Sequence, residues 1–280
     1  MLQHMWDRAD RLTASGQKVT VVARDHWQLV RSQLEHRTYG RILYQPQNCD
    51  TGAGIFLPLT YVRSWARDAT VVIYPSDHFV YPESLFLGMV RRAMRATEIL
   101  QDRIILLGSH PTRLELDYGW IEMGSTLGLS NGSCVLQVKT FLEKPDVIQG
   151  LAAMADGALW NTLVMAVKVE TLWSLGWQCL PELMERFEEL GTVIGTSREG
   201  PILDAIYQDM PCRNFSSDLL QRVPERVGVM ELQDMLWSDW GQPERIAGTL
   251  QLLGKEPAFP IKHFSEPYCS QYHEHVMEVS

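Results

Sequence analysis

The sequence predicts an α/β protein in which helices cover both faces of a mostly parallel sheet. Short apolar runs rich in β-branched residues alternate with stretches of helical periodicity along most of the chain. These runs are continuously apolar, as is typical of strands buried on both faces. The 280 residues contain no repeat, low-complexity segment or linker. We therefore expect one domain over residues 1–255 and a short tail at 256–280.

Composition limits the function classes. The chain is 45% hydrophobic and 21% charged, as in ordinary globular proteins. A net charge of −9 disfavours nucleic acid as a partner. No apolar stretch approaches the roughly 20 residues of a membrane span. Residues 1–12 lack the apolar core of a secretory signal, and the five cysteines are widely spaced. A cytoplasmic protein with reduced thiols is expected.

The predicted elements of the first half alternate regularly. Leu2, Met5, Trp6 and Ala9 recur at helical spacing, so the chain is expected to start with a helix. The pattern then predicts strands at 19–23, 41–44, 70–74 and 103–107, and helices at 26–35, 52–66 and 82–100. Asp50 or Thr51 is the expected N-cap of the helix at 52–66.

The rhythm changes after Gly108. Longer strands are predicted at 118–123 and 135–142, on either side of a polar loop at 124–134, and we interpret them as a β insertion. A strand at 163–169, helices through about residue 208 and a strand at 227–230 complete the prediction.

Two carboxylates follow predicted strands at positions where an α/β sheet binds ligands. Asp77 comes directly after the strand at 70–74, and Asp239 lies in WSDWG at 237–241. Mg²⁺ is typically held by one or two carboxylates with phosphates and water, so this pair would suffice for phosphoryl or nucleotidyl transfer. The alternatives are that Asp77 caps the next helix and that Asp239 belongs to a tight turn packed by tryptophans.

Two further segments carry groups suited to a sugar phosphate. In FLEKP at 141–145, Lys144 could neutralise a phosphate and Glu143 could accept sugar hydroxyls; an exposed ion pair is the alternative. In LWNT at 159–162, Asn161 and Thr162 suit polyol recognition; a polar bend is the alternative. The glycine motifs of dinucleotide-binding, P-loop and α/β-hydrolase proteins are absent from the sequence.

Taken in order and spacing, these segments resemble the sugar-1-phosphate nucleotidyltransferases, most closely the mannose-1-phosphate guanylyltransferase branch. The resemblance covers about residues 1–250. It rests on QPQNCDTGA at 45–53, PSDH at 75–78, YGWIE at 118–122, FLEKP at 141–145, WNT at 160–162 and WSDWG at 237–241.

The resemblance implies a GT-A-like, Rossmann-like fold that joins a sugar 1-phosphate to a nucleoside triphosphate and releases pyrophosphate. Mannose 1-phosphate and GTP are the default substrates of the branch, and homo-oligomerisation is left open. Asp77 and Asp239 would be the catalytic residues and would hold Mg²⁺. The implied nucleotide-binding residues are Asn48, Thr51, Gly52 and Ser76, and the implied substrate-binding residues are Gly119, Glu143, Lys144, Asn161 and Thr162.

The sequence also departs from the family pattern. The sequence has neither the signature G-G-x-G-T-R-L nor the lysine that follows it some residues later in the family, and these lie on the family's first strand and phosphate loop. We therefore expect a sheet that lacks this first strand, starts with residues 19–23 and leaves a groove near Asp77 and Asp239 open. Cys49 stands where the family usually has an arginine.

Three interpretations follow. The chain belongs to an active nucleotidyltransferase whose coding start lies further upstream, or it is a shortened, non-catalytic relative that binds a sugar phosphate or a partner protein. A GT-A glycosyltransferase is the third, but it would carry D-x-D where this sequence has Ser76-Asp77-His78.

Overall fold

Helices pack on both faces of a central six-stranded sheet. The computed structural model describes residues 1–34 and 40–256. The tail predicted at 256–280 lies outside these residues, apart from Glu256. Within the described ranges, no helix combines the length and apolarity needed to cross a membrane.

The elements are numbered in chain order. The strands are β1 (Val19–Ala23), β2 (Arg41–Gln45), β3 (Thr70–Ile73), β4 (His78–Tyr81), β5 (Ile104–Ser109), β6 (Gly119–Ser130), β7 (Ser133–Glu143), β8 (Leu159–Lys168), β9 (Val227–Leu232) and β10 (Leu236–Asp239). The α-helices are α1 (Leu2–Asp10), α2 (Trp27–Leu34), α3 (Asp50–Trp65), α4 (Glu83–Ile99), α5 (Val147–Ala155), α6 (Val169–Cys179), α7 (Pro181–Gly191), α8 (Glu199–Gln208) and α9 (Pro243–Leu252).

The central sheet is mixed, so the expectation of a mostly parallel sheet is wrong. Its order is β3-β8-β5-β9-β7-β6. Strands β5 and β9 are parallel, whereas β8 is antiparallel to both β3 and β5. The reason lies in the insertion: the hairpin of β6 and β7 joins the sheet antiparallel to its neighbours, and β8 then enters between two strands that run the other way.

The β insertion was predicted, but its loop is much shorter than expected. Strands β6 and β7 continue to Ser130 and Ser133. Only Asn131 and Gly132 remain between them, and both have positive φ angles, 46° and 82°. An Asn-Gly pair with two positive φ angles is the usual connection of a two-residue hairpin.

Alternate residues of β5 face two separate apolar layers. Ile104 and Leu106 pack into the cluster that contains residues of α3, α6 and α7. Ile105 and Leu107 pack into the cluster that contains residues of α4. All six residues of β5 are buried, so the prediction of helices on both faces is confirmed.

Strand β1 does not belong to the central sheet, contrary to expectation. It pairs in parallel with β2 and forms a separate two-stranded sheet. Strand β3, at the edge of the central sheet, pairs with β8. A cavity of about 960 Å³ is lined by residues of both β1 and β3. Within the described residues, no strand lies between β1 and β3 to join the two sheets.

A second short ladder, which the sequence pattern did not predict, begins after β3 in the chain. Strand β4 pairs antiparallel with β10, and Asp239 is the register partner of His78. The ladder continues by one bond, because the Trp240 amide donates to the carbonyl of Asp77 at 3.0 Å. It fixes the two segments in which the candidate carboxylates lie.

The start of α3 is fixed by packing and not by the predicted side-chain cap. Cys49 is the N-cap, no side chain caps the helix, and Asp50 has a φ of 65°. The Gly52 amide donates to the carbonyl of Arg213 at 2.8 Å. A Cβ at Gly52 would lie 2.6 Å from that backbone oxygen.

We therefore expect Gly52→Ala to destabilise the protein by roughly 1–3 kcal/mol, because backbone must shift to admit the methyl group. Gly54→Ala, two residues further along α3, is the matched control. A Cβ at Gly54 meets no atom within 4 Å, so this change should stabilise the helix by about 0.5–1 kcal/mol. Urea titration of both variants measures the difference, and equal effects would contradict this account.

Candidate functional site

Asp77 and Asp239 are brought together by the ladder of β4 and β10. Asp77 lies in the turn between β3 and β4, and Asp239 ends β10. A methyl group at Gly241 would lie 3.1 Å from Asp239 Oδ1 and 3.7 Å from Asp77 Oδ2. The two carboxylates therefore border one small space, and Gly241 leaves that space free.

The electrostatics of this pair reflect its surroundings. Burial raises the pKa of Asp77, its own backbone amide acts in the opposite direction, and the charge of Asp239 raises the pKa further. Both carboxylates nevertheless reach solvent, with side-chain exposures of 50% for Asp77 and 21% for Asp239. A hard cation could approach them from the solvent side.

Arg245 on the first turn of α9 is the counter-ion of Asp239. Its Nη1 donates to both carboxylate oxygens of Asp239, at 2.8 and 2.7 Å. Its Nη2 lies 3.5 Å from Glu115 and 3.4 Å from Asp117. Burial lowers the pKa of Arg245, but its bond to Asp239 and the nearby charges of Tyr118, Asp239 and Glu115 together outweigh burial, and the net shift is upward. The guanidinium thus neutralises one of the two candidate metal ligands.

His78 supports the pair as a neutral ring. The indole N–H of Trp237 donates to its Nδ1 at 3.2 Å. Because an indole nitrogen only donates, the proton of the neutral imidazole lies on Nε2, 3.9 Å from Asp77 Oδ1. Burial lowers the pKa of His78 to about 4. The ring therefore adds no charge near neutral pH.

Tyr118 connects the carboxylate pair with the sugar-side segments. Its ring lies 4.6 Å from the Arg245 guanidinium carbon and makes edge contacts with Trp160 and Trp237, at 5.2 and 5.4 Å. The next residue, Gly119, is the register partner of Glu143. One aromatic cluster therefore links Asp239 to β6, β7 and β8.

Gly119 and Glu143 face each other across the hairpin. A Cβ at Gly119 would lie 2.9 Å from Glu143 Oε2, so glycine is needed for the carboxylate to lie there. Burial raises the pKa of Glu143. Lys144, the next residue, has a φ of 46° and is exposed. The turn at Lys144 directs the chain away from β7 and presents a cation at the strand end.

Asn161 and Thr162 shape the bulge of β8. The Asn161 Oδ1 accepts from the Leu163 amide at 3.0 Å. The Thr162 hydroxyl donates to the carbonyl of Leu107 at 2.6 Å and accepts from the Val164 amide at 3.2 Å. Thr162 is 1% exposed, so its hydroxyl serves the fold. Asn161 follows Trp160 in β8 and is 9% exposed.

The four predicted nucleotide-binding residues separate into two groups. Thr51 and Ser76 both line the cavity between β1 and β3. Asn48 accepts from the Asp50 amide at 3.0 Å and forms the turn before α3, while Gly52 packs against Arg213. Asn48 and Gly52 therefore stabilise the start of α3.

Sequence reasoning missed the residues around Arg245. Glu115, Asp117 and Tyr118 surround its guanidinium, yet only Tyr118 lay in a recognised motif. A signal was present: Pro243 starts α9, so Arg245 lies in the first turn of a helix. A cation is unfavourable at that position, which suggests carboxylates close by.

Comparisons with known proteins find similar sequences and similar folds. The xanthan biosynthesis protein XanB of Xanthomonas campestris is 28% identical over 165 residues, or 58% of this chain and 33% of that protein. A mannose-1-phosphate guanylyltransferase of Escherichia coli is 24% identical over 247 residues, or 86% of this chain and 52% of that protein. The chain thus spans about a third to a half of these relatives' length.

Solved structures share the fold. A Thermus thermophilus protein described as mannose-1-phosphate geranyltransferase has a TM-score of 0.76 at 23% identity, over 91% of this chain and 70% of that one. A Helicobacter pylori protein described as mannose-6-phosphate isomerase has a TM-score of 0.71 at 16% identity, over 85% of this chain and 90% of that one. The family model for nucleotidyl transferase matches residues 1–251. The chain belongs to the nucleotidyltransferase family.

Proposed function

We propose that this protein transfers a nucleotidyl group to a sugar 1-phosphate, with mannose 1-phosphate and GTP as the default substrates. The observation that carries the proposal is the approach of Asp77 and Asp239 to one space beside Gly241. The names of the similar proteins support the substrate class, and two of them concern mannose 1-phosphate.

The donor set at this space suits magnesium. Two carboxylates with access to water are typical of Mg²⁺ sites that complete their coordination with water and substrate phosphates. Asp77 and Asp239 would hold the ion, which when bound would neutralise charge on the phosphates. Arg245 competes for Asp239, so the ion must displace this guanidinium or share the carboxylate with it.

In the proposed reaction, an oxygen of the sugar phosphate attacks the α-phosphorus of the nucleoside triphosphate. A new O–P bond forms in line with the bond that breaks, and pyrophosphate leaves. Lys144 would contact the phosphate of the sugar, and Gly119, Glu143 and Asn161 would lie along its hydroxyls. Positioning and charge neutralisation account for most of the rate in such transfers.

A non-catalytic sugar-phosphate-binding protein is the second candidate. The pairing of Asp239 with Arg245 favours it, because a metal ligand is already engaged. Cys49 favours it as well, because a thiol carries no positive charge and this position therefore supplies no cation to a triphosphate. An assay of pyrophosphate release with Mg²⁺, mannose 1-phosphate and each nucleoside triphosphate decides between them. Sugar-phosphate binding without release from any triphosphate would reject the enzymatic proposal.

Asp77→Asn should lower the rate of pyrophosphate release at least about 100-fold, because one of two anionic ligands is lost. Asp102→Asn is the control, since this exposed carboxylate precedes β5 and pairs with Arg103 and Arg226. Its rate should match that of the wild type. A rate for Asp77→Asn within threefold of the wild type would remove Asp77 from the catalytic pair.

Arg245→Gln should increase the affinity for Mg²⁺ roughly tenfold, because removing the competing cation frees Asp239. Isothermal titration of the free protein with MgCl₂ measures this without any turnover. Arg67→Gln, at an arginine that is 66% exposed, is the control and should leave the affinity unchanged. An unchanged or weaker affinity in Arg245→Gln would show that Arg245 does not compete with the ion.

Lys144→Ala should weaken the binding of mannose 1-phosphate about tenfold, because one contact to the phosphate of the sugar is lost. The affinity for the nucleotide should not change. Lys139→Ala, at a lysine within β7 five residues before Lys144, is the matched control. Lys139 is 69% exposed and pairs with Glu122. Fluorescence or calorimetric titration with each ligand gives the comparison, and equal losses in the two variants would argue against a specific role for Lys144.

A further inference from the structure

Two free cysteines from distant parts of the chain adjoin each other at the start of α3. Cys49 is the N-cap of this helix and is 1% exposed. Cys212 is exposed and lies in residues 210–214, which form no helix or strand. The Cys49 thiol donates a hydrogen bond to the sulfur of Cys212. The fold thus places one buried and one accessible sulfur beside each other.

Main-chain contacts hold the two segments together independently of the thiols. The Gly52 amide donates to the carbonyl of Arg213 at 2.8 Å, and the Phe215 amide donates to the Thr51 hydroxyl, also at 2.8 Å. A Cβ at Gly52 would lie 3.3 Å from the Cβ of Arg213. One cysteine lies in the same helical turn as Gly52, and the other directly precedes Arg213. Close approach of two backbones is the first requirement of a disulfide, whose Cα atoms are usually roughly 4.4–6.8 Å apart.

The two thiols differ in reactivity because their surroundings differ. Burial raises the pKa of Cys49, the side-chain amide of Gln47 acts in the opposite direction from 3.7 Å, and Cys212 raises the pKa further. Cys49 therefore stays protonated near neutral pH. A dissolved oxidant reaches the exposed Cys212 first, because the oxidation of a cysteine follows its exposure and its thiolate character. Cys49 is then in place to react with the oxidised sulfur.

We propose that Cys49 and Cys212 form an intramolecular disulfide when the protein meets hydrogen peroxide, and that this bond fixes the start of α3. In the first step, the thiolate of Cys212 attacks one peroxide oxygen, the O–O bond breaks, and a sulfenic acid and a hydroxide form. In the second step, the sulfur of Cys49 attacks the sulfenic sulfur, so that the S–S bond forms, the S–O bond breaks and a second hydroxide leaves. The protons of the two thiols convert both hydroxides to water. Two thiols are thus oxidised while one hydrogen peroxide is reduced to two waters.

The disulfide lies at a position where this chain departs from the family pattern. Cys49 stands where the family usually has an arginine, so the residue that removes a cation also supplies a thiol. Thr51, two residues later, lines the same cavity as Ser76, which precedes Asp77. The bond would therefore restrain a segment at the border of the candidate site. The proposal is nevertheless independent of nucleotidyl transfer, because the disulfide is measured without substrates.

The experiment treats the purified protein with hydrogen peroxide, blocks the remaining thiols and digests the protein with trypsin in the absence of a reductant. Trypsin releases Cys49 in residues 42–63 and Cys212 in residues 199–213. We expect mass spectrometry to find these two peptides joined, and dithiothreitol to separate them. A sulfinic acid at Cys212 without joined peptides would overturn the proposal. So would a bond from Cys212 to any other cysteine, or to a second copy of the chain, which a non-reducing gel shows as a covalent dimer.

Serine variants separate the two steps. Cys212→Ser should abolish the joined peptides. Cys49→Ser should leave Cys212 as a sulfenic acid, which dimedone labels at least about tenfold more than in the wild type, because the second thiol is absent. Cys134→Ser, at an exposed cysteine of β7, is the control and should form the joined peptides at the wild-type rate. Equal dimedone labelling of Cys49→Ser and the wild type would contradict the second step.

Hydrogen exchange tests the effect of the disulfide on α3. Amides in the first two turns of α3 should exchange at least about tenfold more slowly in the oxidised protein, because the cross-link opposes local opening. Amides of α4 should not change, and dithiothreitol should restore the original rates. Unchanged exchange in α3, or protection confined to other elements, would overturn the claim that the bond fixes the start of this helix.

Discussion

The candidate site depends on the antiparallel pairing of β4 with β10. This ladder has only four residue pairs, and two strands of that length are marginal alone. Aromatic contacts reinforce it: Phe79 stacks on Trp240 at 4.8 Å, and Trp237 bonds to His78 across a sequence separation of 159 residues. The geometry of the two carboxylates is therefore maintained by tertiary packing and not by local sequence.

Charge balance is the second constraint on the site. Two carboxylates that border one space repel each other, and burial raises the pKa of Asp77. Arg245 reduces this repulsion within the fold by engaging Asp239, Glu115 and Asp117. Because Arg245 already binds Asp239, any added cation must compete with this guanidinium for the carboxylate. Ligand affinity at this site is thus linked to the position of one guanidinium at the start of α9.

Much of the arrangement could be predicted from local patterns. The buried run before Asp77 predicted β3, and the segments around Gly119 and Glu143 predicted two strands of a β insertion, which the structure pairs with these two residues in register. In each case the signal was a continuous or alternating apolar pattern next to a polar residue. Family resemblance then supplied the correct fold class.

Other features required information that no local pattern contains. The direction of β8 follows from how the hairpin joins the sheet, and the apolar run of β8 fits either direction equally well. The separation of β1 from β3 depends on which strands are available as partners. Thr162 has the residue type of a polyol ligand, yet its hydroxyl is consumed by Leu107 and Val164. Only tertiary structure distinguishes such a residue from a binding residue.

The central claim is that Asp77 and Asp239 act together on one cation. A double-mutant cycle for Mg²⁺ affinity tests it most directly, with Asp77→Asn and Asp239→Asn made alone and together in the Arg245→Gln background, where the competing cation is absent. If the two carboxylates share one ion, the double variant should bind Mg²⁺ little more weakly than either single variant. Losses of binding free energy that simply add would show two independent carboxylates and would contradict the account.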